Sequence, residues 1–375
     1  ARLARMCSGV VAAVAALTAC MMPTRPIVNN GSKRIRGYWT ASQLGYMILA
    51  AAAGGLLVTQ GSAALAAMDQ GVFAGLAQLL SHAVFKASLF LIAGWALHAA
   101  ESRFIDDMGE YAKYMKATAV AMWLSGFSLA AIPPLSGFFS KELVLESVAQ
   151  SGYVALYLLA VVTAFFTAAY TTRLAVRVFH VPPLRERAEG EHGLHEAPPL
   201  MLGPYFILAL GALLLGVFWP LAGSKLSQGV YQTLSVAVRP QFMPVIDVAT
   251  IAITSLLVVD VLLVAAAYLR RIDFMSSVRS SRLLSAIHSF LFDRWYLNSI
   301  IYYAFVYSFI GFSFVLRAVD RGIDAFYHSL LPAFAKGSSA ALRTTFGGRT
   351  DYSLGLYLSL TGALVLIALA IWGVM

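Results

Sequence analysis

The chain has 375 residues, of which 59% are hydrophobic and only 12% are charged. Soluble domains carry roughly 25% charged residues, so this composition excludes a soluble enzyme and indicates a membrane protein. The formal net charge of +9 would suggest nucleic-acid binding in a soluble protein. Here it raises the question of which side of a bilayer holds the Lys and Arg side chains. We expect the chain to be embedded in a lipid bilayer and to bind no nucleic acid.

Eight apolar segments approach the length of about 20 residues that a bilayer-crossing helix needs. In chain order they lie near 6–22, 38–58, 72–97, 117–139, 153–177, 200–222, 248–269 and 353–374. The sequence therefore predicts an all-α polytopic membrane protein with about eight transmembrane helices. The first segment has an alternative, because Arg2, Arg5 and the run Leu17-Thr18-Ala19-Cys20 would also suit a lipoprotein signal peptide.

The third segment carries Gln78, His82 and Lys86 at intervals of four residues, which places them on one helical face. Ionisable groups at this depth cost at least about 2.5–3.5 kcal/mol on insertion scales, so they are functional candidates. A His one turn from a Lys gives two groups whose proton affinities depend on each other, as a proton relay requires. The alternative is a structural His and a Lys that reaches the interface, but Lys86 lies near the segment's middle.

The fourth segment contains Pro133, Pro134 and Gly137 shortly before Lys141 and Glu142. Two prolines remove backbone donors and break a helix. Broken helices in transporters commonly mark ion sites, so we expect Lys141 and Glu142 to form a gate at the end of a path. The alternative is an ordinary loop with a surface Lys and Glu.

Other polar groups give weaker signals. Asp260 lies midway along the seventh segment and could be neutral, paired elsewhere or a second relay point. His192 and His195 could hold a metal, although a solvated charged loop is the simpler interpretation. The chain has two cysteines and no dinucleotide or iron–sulfur motif. We therefore predict no cofactor, no metal and no redox chemistry within this chain.

Lys and Arg are distributed unevenly between the two sides of the predicted membrane, and the richer side is taken as cytoplasmic. Sixteen follow the first, third, fifth and seventh segments, whereas five lie on the other side. A further apolar stretch, 297–316, would move five more basic residues to the poorer side if it crossed. We therefore predict a long lateral helix on the cytoplasmic face there, followed by an anchoring helix at 353–374.

Several motifs occur in an order that covers nearly the whole chain. They are Lys33-Arg34 with Tyr38 and Thr40 to Met47, Ser81 to Ala87, Ile132 to Glu142, Tyr170 to Arg173, His195 to Met201, and Phe292 to Tyr296. Together they resemble the antiporter-like subunits of respiratory complex I, most closely the distal subunit L, whose mitochondrial counterpart is NADH dehydrogenase subunit 5.

The resemblance implies a division of the chain, because family members contain two inverted five-helix repeats and this chain resembles only the second repeat and the segments after it. Residues 1–180 would be that repeat, which forms a proton half-channel. Residues 181–270 would hold two additional transmembrane helices. The lateral helix region would occupy 271–348 and the anchoring helix 349–375.

The resemblance also implies roles for individual residues. Lys86 would be the central relay lysine, His82 its hydrated neighbour, Lys141 the terminal lysine with Glu142 beside it, and Lys33 a charged group entering the second span. Three positions depart from the family pattern. Gly31 replaces an acid that would pair with Lys33, Gln78 replaces a common histidine, and Glu142 replaces an aspartate.

These observations favour a proton-translocating membrane subunit of a complex I-like NADH:quinone oxidoreductase, with other membrane-arm subunits and protons as its partners. The alternatives are the large subunit of a multi-subunit Na⁺/H⁺ antiporter and a scaffold that has lost transport. We expect the protein in a bacterial or archaeal cytoplasmic membrane, in preference to the mitochondrial inner membrane.

Overall fold

The computed structural model describes residues 2–28, 32–56, 62–184, 194–234, 239–272, 278, 280–346 and 350–372. Helices dominate these ranges, which contain no β-strand, and six of the helices are long and apolar enough to cross a membrane. The all-α prediction is confirmed, and the chain is a multi-pass membrane protein. It forms two compact units, residues 1–296 and residues 297–375.

The first unit contains ten α-helices in its described residues. They are α1 (Arg2–Val28), α2 (Ser32–Gly55), α3 (Ser62–Ala100), α4 (Lys116–Leu129), α5 (Ser136–Gln150), α6 (Val154–Phe179), α7 (Pro199–Val217), α8 (Trp219–Thr233), α9 (Val248–Leu269) and α10 (Arg282–Phe292). Seven of the eight predicted apolar segments fall mainly on these helices, and α1, α2 and α3 begin before the predicted starts.

Small residues allow α1, α2 and α3 to pack closely. A Cβ atom on Gly45 of α2 would lie 2.9 Å from the Ala15 carbonyl oxygen of α1, and one on Gly75 of α3 would lie 2.8 Å from the Met47 carbonyl oxygen of α2. In a bilayer the helices gain little from burying apolar surface against each other, so close van der Waals packing of this kind holds them together. Helix α1 is thus an integral part of the bundle.

The predicted break in the fourth segment is present, but the helical segment is longer than expected. Helix α4 ends at Leu129, and α5 begins at Ser136 and continues to Gln150. The predicted span ended at residue 139 and counted Lys141 with the loop residues beyond it. Instead, Lys141 lies inside the second half of the broken helix and is 1% exposed.

Polar side chains lie inside the first unit, and large apolar side chains cover much of its surface. Gln43, Gln78, Lys86 and Lys141 are buried, whereas the outer faces of α7 and α9 expose many Leu, Ile and Val side chains. This arrangement suits a bilayer, because lipid favours apolar side chains outside and polar groups survive only where protein or water satisfies them.

The second unit consists of two helices in its described residues. Helix α11 begins at Leu297 and ends at Phe346, with wider π-type turns at Tyr302–Val306 and Phe326–Leu330, and α12 covers Thr350–Trp372. At 1.5 Å per residue, α11 is about 75 Å long, which is more than a bilayer crossing requires. The long helix is confirmed, and its position on the cytoplasmic face stays a prediction.

Helix α11 has a charged side over its second half. Arg317, Asp320, Arg321 and Asp324 recur at intervals of three and four residues, so they share one face, and all four are exposed within the unit. The opposite face carries Val319, Ile323, Phe326 and Leu330. Such an amphipathic helix suits the membrane interface better than the hydrocarbon core.

Cysteine labelling tests the predicted topology. Cys7 is exposed and Cys20 is buried, so Cys7→Ser provides a background with little reactivity toward impermeant reagents. In that background, Arg343→Cys should react only from the cytoplasmic side, because α11 is predicted to lie on that face. Tyr153→Cys, in the short connection between α5 and α6, should react only from the opposite side. Reaction of position 343 from that opposite side would mean that α11 crosses the membrane.

Candidate functional site

Three neighbouring helices of the first unit contribute a buried row of polar side chains. Helix α3 supplies Gln78, His82 and Lys86, each one turn after the last, so all three face the same way. Helix α2 lies against α3, and α5 contacts both of them. The expected charged residues of the third and fourth segments are therefore brought into one part of the bundle.

Lys86 is held among aromatic rings. Its side chain is buried, and its Nζ atom lies 4.9 Å from the centre of the Trp39 ring and 4.9 Å from that of Phe90. Trp39 in turn stacks on Tyr170, with 5.1 Å between the ring centres. The faces of aromatic rings attract a cation, most strongly where water is scarce, so this cage stabilises a charged lysine without neutralising it.

His82 is buried one helical turn before Lys86 on α3. The ring makes an edge contact with Phe85, and its Nε2 atom is buried without a hydrogen-bond partner among the described residues. A buried ring nitrogen of this kind can accept or donate a proton once a mobile partner reaches it.

Lys141 is positioned by the broken helix itself. The last four carbonyl groups of an α-helix have no partner within the helix. At the end of α4, turn contacts use the carbonyls of Gly126, Phe127 and Ser128, and Lys141 Nζ donates to the Leu129 carbonyl oxygen at 2.9 Å. The negative end of the α4 dipole thus faces the ammonium group, which favours its charge.

The start of α5 lies very close to the end of α4 at the break. The Gly137 amide donates to Ser128 Oγ at 3.1 Å, and a Cβ atom at Gly137 would lie 1.8 Å from the Ser128 carbonyl oxygen. Gly216 of α7 packs against the same turn, where its Cβ would lie 2.2 Å from the Pro134 carbonyl oxygen. Two glycines therefore let the break, and with it Lys141, come close to the other helices.

A hydrogen-bonded chain of three side chains connects α2, α3 and α5. Gln78 Nε2 donates to Gln43 Oε1 at 2.7 Å, and Ser140 Oγ donates to Gln78 Oε1 at 2.7 Å. Gln78 precedes His82 by one turn, and Ser140 directly precedes Lys141. The sequence analysis gave no role to Gln43 or Ser140, although both lie in the motifs that carry the family resemblance, which was the available signal.

Glu142 and its neighbour Lys141 have different hydrogen-bond partners. The Glu142 Oε2 atom accepts from Thr250 Oγ1 of α9 at 3.5 Å, and no ion pair with Lys141 is present among the described residues. Asp247 caps α9 beside it and accepts from the Thr250 amide at 2.8 Å, which lowers the pKa of the Asp247 carboxyl. The role of Lys141 and Glu142 as a gate stays a prediction.

Several predicted residues lie apart from this row or cannot be described. The backbone of Lys33 belongs to α2, but its side chain lies outside the described residues, as does His192. The His195 ring packs at an angle against the Trp95 ring, with 5.5 Å between the ring centres. Asp260 is on α9, and its Oδ2 atom is buried without a hydrogen-bond partner in the described part of the chain.

A second polar cluster connects α4 with α7, and the sequence analysis missed it. Glu196 Oε2 accepts from the Ala117 amide at 2.8 Å, and the Thr118 hydroxyl contacts both the Glu196 carboxylate and the Tyr205 hydroxyl. Ser88, half a turn from Lys86 on α3, donates to the Tyr205 carbonyl oxygen at 2.9 Å. Polar contacts thus extend from Glu196 to Ser88 of α3.

Gln78→Leu tests the hydrogen-bonded chain. The substitution would leave the Gln43 carbonyl and the Ser140 hydroxyl without their partners, so we expect the free energy of unfolding to fall by about 1–2 kcal/mol. Thermal unfolding in detergent would measure this change. Gln150→Leu is the control, because Gln150 is exposed on the same broken helix and should change stability by less than about 0.5 kcal/mol. Equal losses in both variants would contradict the assignment.

Residues 3–167 match a protein family described as NADH:quinone oxidoreductase/Mrp antiporter, TM. The chain is 32% identical over 204 residues to NADH-quinone oxidoreductase subunit L of Rickettsia bellii, covering 54% of this chain and 29% of that protein. It is 28% identical over 377 residues to NADH-ubiquinone oxidoreductase chain 5 of Cryptococcus neoformans, covering 96% of this chain and 54% of that protein. The chain thus spans about half or less of these relatives.

A solved structure supports the fold. The chain aligns with a chain of the Mrp complex from Dietzia sp. with a TM-score of 0.56 and 19% sequence identity, and the alignment covers 89% of this chain and 34% of the other. At this identity the likeness concerns the fold, which includes the helices that hold the buried row.

Proposed function

We propose, from the match of residues 3–167 to the NADH:quinone oxidoreductase/Mrp antiporter transmembrane family, that this chain is a proton-translocating membrane subunit of a complex I-like oxidoreductase. One observation carries the proposal. Lys86, His82 and Lys141 are buried on two helices that contact each other, and a hydrogen-bonded chain links the same helices.

The proposed mechanism is a relay along Lys86, His82 and Lys141 through intervening water. The three groups repel one another when they are protonated, because Coulomb interactions are strong where the dielectric constant is low. A proton that arrives at one lysine therefore drives the next group to release its own proton. The aromatic cage at Lys86 and the Leu129 carbonyl at Lys141 stabilise the charged forms at the two ends.

Lys33 and Glu142 have supporting roles in this proposal. Lys33 begins α2 and would supply positive charge at the entrance of the path. Glu142 would connect Lys141 to the start of α9 through Thr250. The Glu196, Thr118 and Tyr205 cluster offers polar groups on the predicted cytoplasmic side, where protons would enter.

Redox energy would come from other subunits, because the sequence contains two cysteines and no motif for a redox centre. Movement of charge in a neighbouring membrane subunit would shift the proton affinities of the row. The partners would be other membrane-arm subunits, and α11 would lie along the cytoplasmic face and contact several of them. We place the complex in a bacterial or archaeal cytoplasmic membrane.

A second candidate is the large subunit of a multi-subunit Na⁺/H⁺ antiporter. Two observations favour it: the chain has the fold of a chain from an Mrp complex, and the description of the matching family names the Mrp antiporter. The same buried lysines would then exchange protons against Na⁺ without an electron-transfer partner. A transport-inactive scaffold is a third candidate, and the buried charges argue against it, because such groups are costly to retain without a use.

Identification of co-purifying subunits distinguishes the first two candidates. The chain should be tagged in its native membrane, extracted in mild detergent and analysed by mass spectrometry. We expect flavin-binding and iron–sulfur subunits to co-purify with it at constant ratio. Recovery of small membrane subunits alone, without any redox subunit, would overturn the oxidoreductase proposal in favour of the antiporter.

A further inference from the structure

A cavity of about 600 Å³ opens between the ends of α1, α6 and α9, away from the buried lysine row. The roughly 300–1,000 Å³ range of ligand pockets includes this volume. Its walls are apolar where they follow the helices, with Ala169 of α6 and Val264 and Ala267 of α9 among them. Its rim is polar, so the cavity has two chemically different parts.

Three guanidinium groups and only one carboxylate, that of Asp106, line the polar part of the cavity. Arg173 is fixed by hydrogen bonds from Nη1 to the Pro26 carbonyl oxygen at 2.6 Å and from Nε to the Tyr268 hydroxyl at 3.1 Å. Arg177 is buried and pairs with Asp106 at 3.3 Å. Arg271 lies just after the end of α9 and is exposed. The cavity is therefore positively charged.

A histidine adds an unused polar atom to the same cavity. His288 of α10 lines it, and its Nε2 atom is buried without a hydrogen-bond partner among the described residues. Arg173 and Arg177 lie in the last two turns of α6, and Arg271 follows the end of α9. The charge distribution predicts both of these helix ends on the cytoplasmic side, so the polar part would lie at the level of the membrane interface and the apolar walls would extend toward the hydrocarbon core.

We propose that this cavity binds an anionic phospholipid, with the phosphate among the guanidinium groups and an acyl chain against α6 and α9. Arginine suits phosphate because its planar group can donate two parallel hydrogen bonds, and basic pockets between transmembrane helices on the cytoplasmic side hold acidic headgroups. A free phosphate ion would use the charge but not the apolar walls. The bound lipid would join α1, α6 and α9 and stabilise the bundle.

The proposal is tested with the full chain in nanodiscs of phosphatidylcholine, with and without phosphatidylglycerol. We expect phosphatidylglycerol to raise the unfolding temperature and to stay bound in native mass spectrometry. Arg271→Gln should weaken its binding about fivefold, because one interfacial arginine contributes about 1 kcal/mol to binding an acidic lipid. Arg270→Gln is the matched control: Arg270 is the adjacent exposed arginine and does not line the cavity.

The stability and binding of the two variants decide whether the cavity binds the lipid. Both variants should unfold at the wild-type temperature in phosphatidylcholine alone, since both side chains are exposed. Equal loss of binding in the two variants would show diffuse surface charge and overturn the proposal. Stabilisation by millimolar inorganic phosphate equal to that by phosphatidylglycerol would identify a free-anion site and also overturn it. The test measures lipid binding and not transport, so its result is independent of the proposed function.

Discussion

Lys86→Met should produce an assembled complex that transfers electrons but has lost proton translocation through this chain. Methionine has a similar shape and no charge, so it fills the aromatic cage of Trp39 and Phe90 without disturbing the packing. The relay loses its central group. We expect translocation through the chain to fall by roughly a factor of 100, the lower end of what positioned proton-transfer groups contribute.

Two further variants separate loss of charge from loss of proton exchange. Lys86→Arg keeps the positive charge but cannot release a proton, so it should also fail. Lys113→Met is the control, because the Lys113 side chain, between α3 and α4, is exposed and pairs with Glu110 at 2.8 Å. Acidification by proteoliposomes, measured per electron transferred, gives the result. Wild-type pumping by an assembled Lys86→Met complex would favour the scaffold interpretation.

Gly137→Ala should strongly destabilise the protein and impair transport together. The new Cβ atom would lie 1.8 Å from the Ser128 carbonyl oxygen and 2.7 Å from the carbonyl carbon, and both are backbone atoms that cannot rotate away. The two halves of the broken helix must then separate, which costs about 3 kcal/mol, the upper part of the usual range for overpacking. Separation also moves Lys141 away from the Leu129 carbonyl oxygen.

Gly94→Ala provides the matched control for this substitution. Gly94 lies in the interior of α3, and a Cβ atom there would meet nothing within 4 Å. Replacing an exposed helical glycine by alanine stabilises a helix by roughly 0.5–1 kcal/mol, so the control should unfold no more easily than wild type. If Gly137→Ala unfolds like Gly94→Ala, the close approach at the break is not present in the protein.

The sequence was sufficient to predict that three polar side chains share one face of α3. Gln78, His82 and Lys86 follow at four-residue intervals, and the helical period alone places them together. Pro133, Pro134 and Gly137 likewise predicted the break, because proline cannot continue the hydrogen-bond ladder. Local rules of this kind need no knowledge of the neighbouring helices.

Contacts between distant segments could not be predicted in the same way. The partner of Lys141 is a backbone carbonyl twelve residues away, which becomes available because α4 ends at Leu129 and α5 returns beside it. Successive residues on a helix point in different directions, so the position of Glu142 next to Lys141 in the sequence does not show which partner either side chain has. Gln43 joined the site only through its contact with Gln78 across two helices.

The sequence of the long helix α11 gives two opposing signals about its position, which stays a prediction. Its apolar first half, 297–316, has the composition of a transmembrane segment, and the helix is apolar enough to cross by length and composition. The basic residues from Arg317 onward led to the prediction of a lateral helix. The structure confirms one long helix to Phe346, with charges on one face of its second half.

Electron-driven acidification in the absence of Na⁺ tests the central claim most directly. The complex containing this chain should be reconstituted into proteoliposomes in Na⁺-free buffer, given its electron donor and a quinone, and followed with a pH-sensitive dye. Our account predicts acidification at the same proton-to-electron ratio with and without Na⁺, because the relay consists of lysine and histidine groups that carry protons. Acidification that requires Na⁺, or that occurs without any electron transfer, would contradict it.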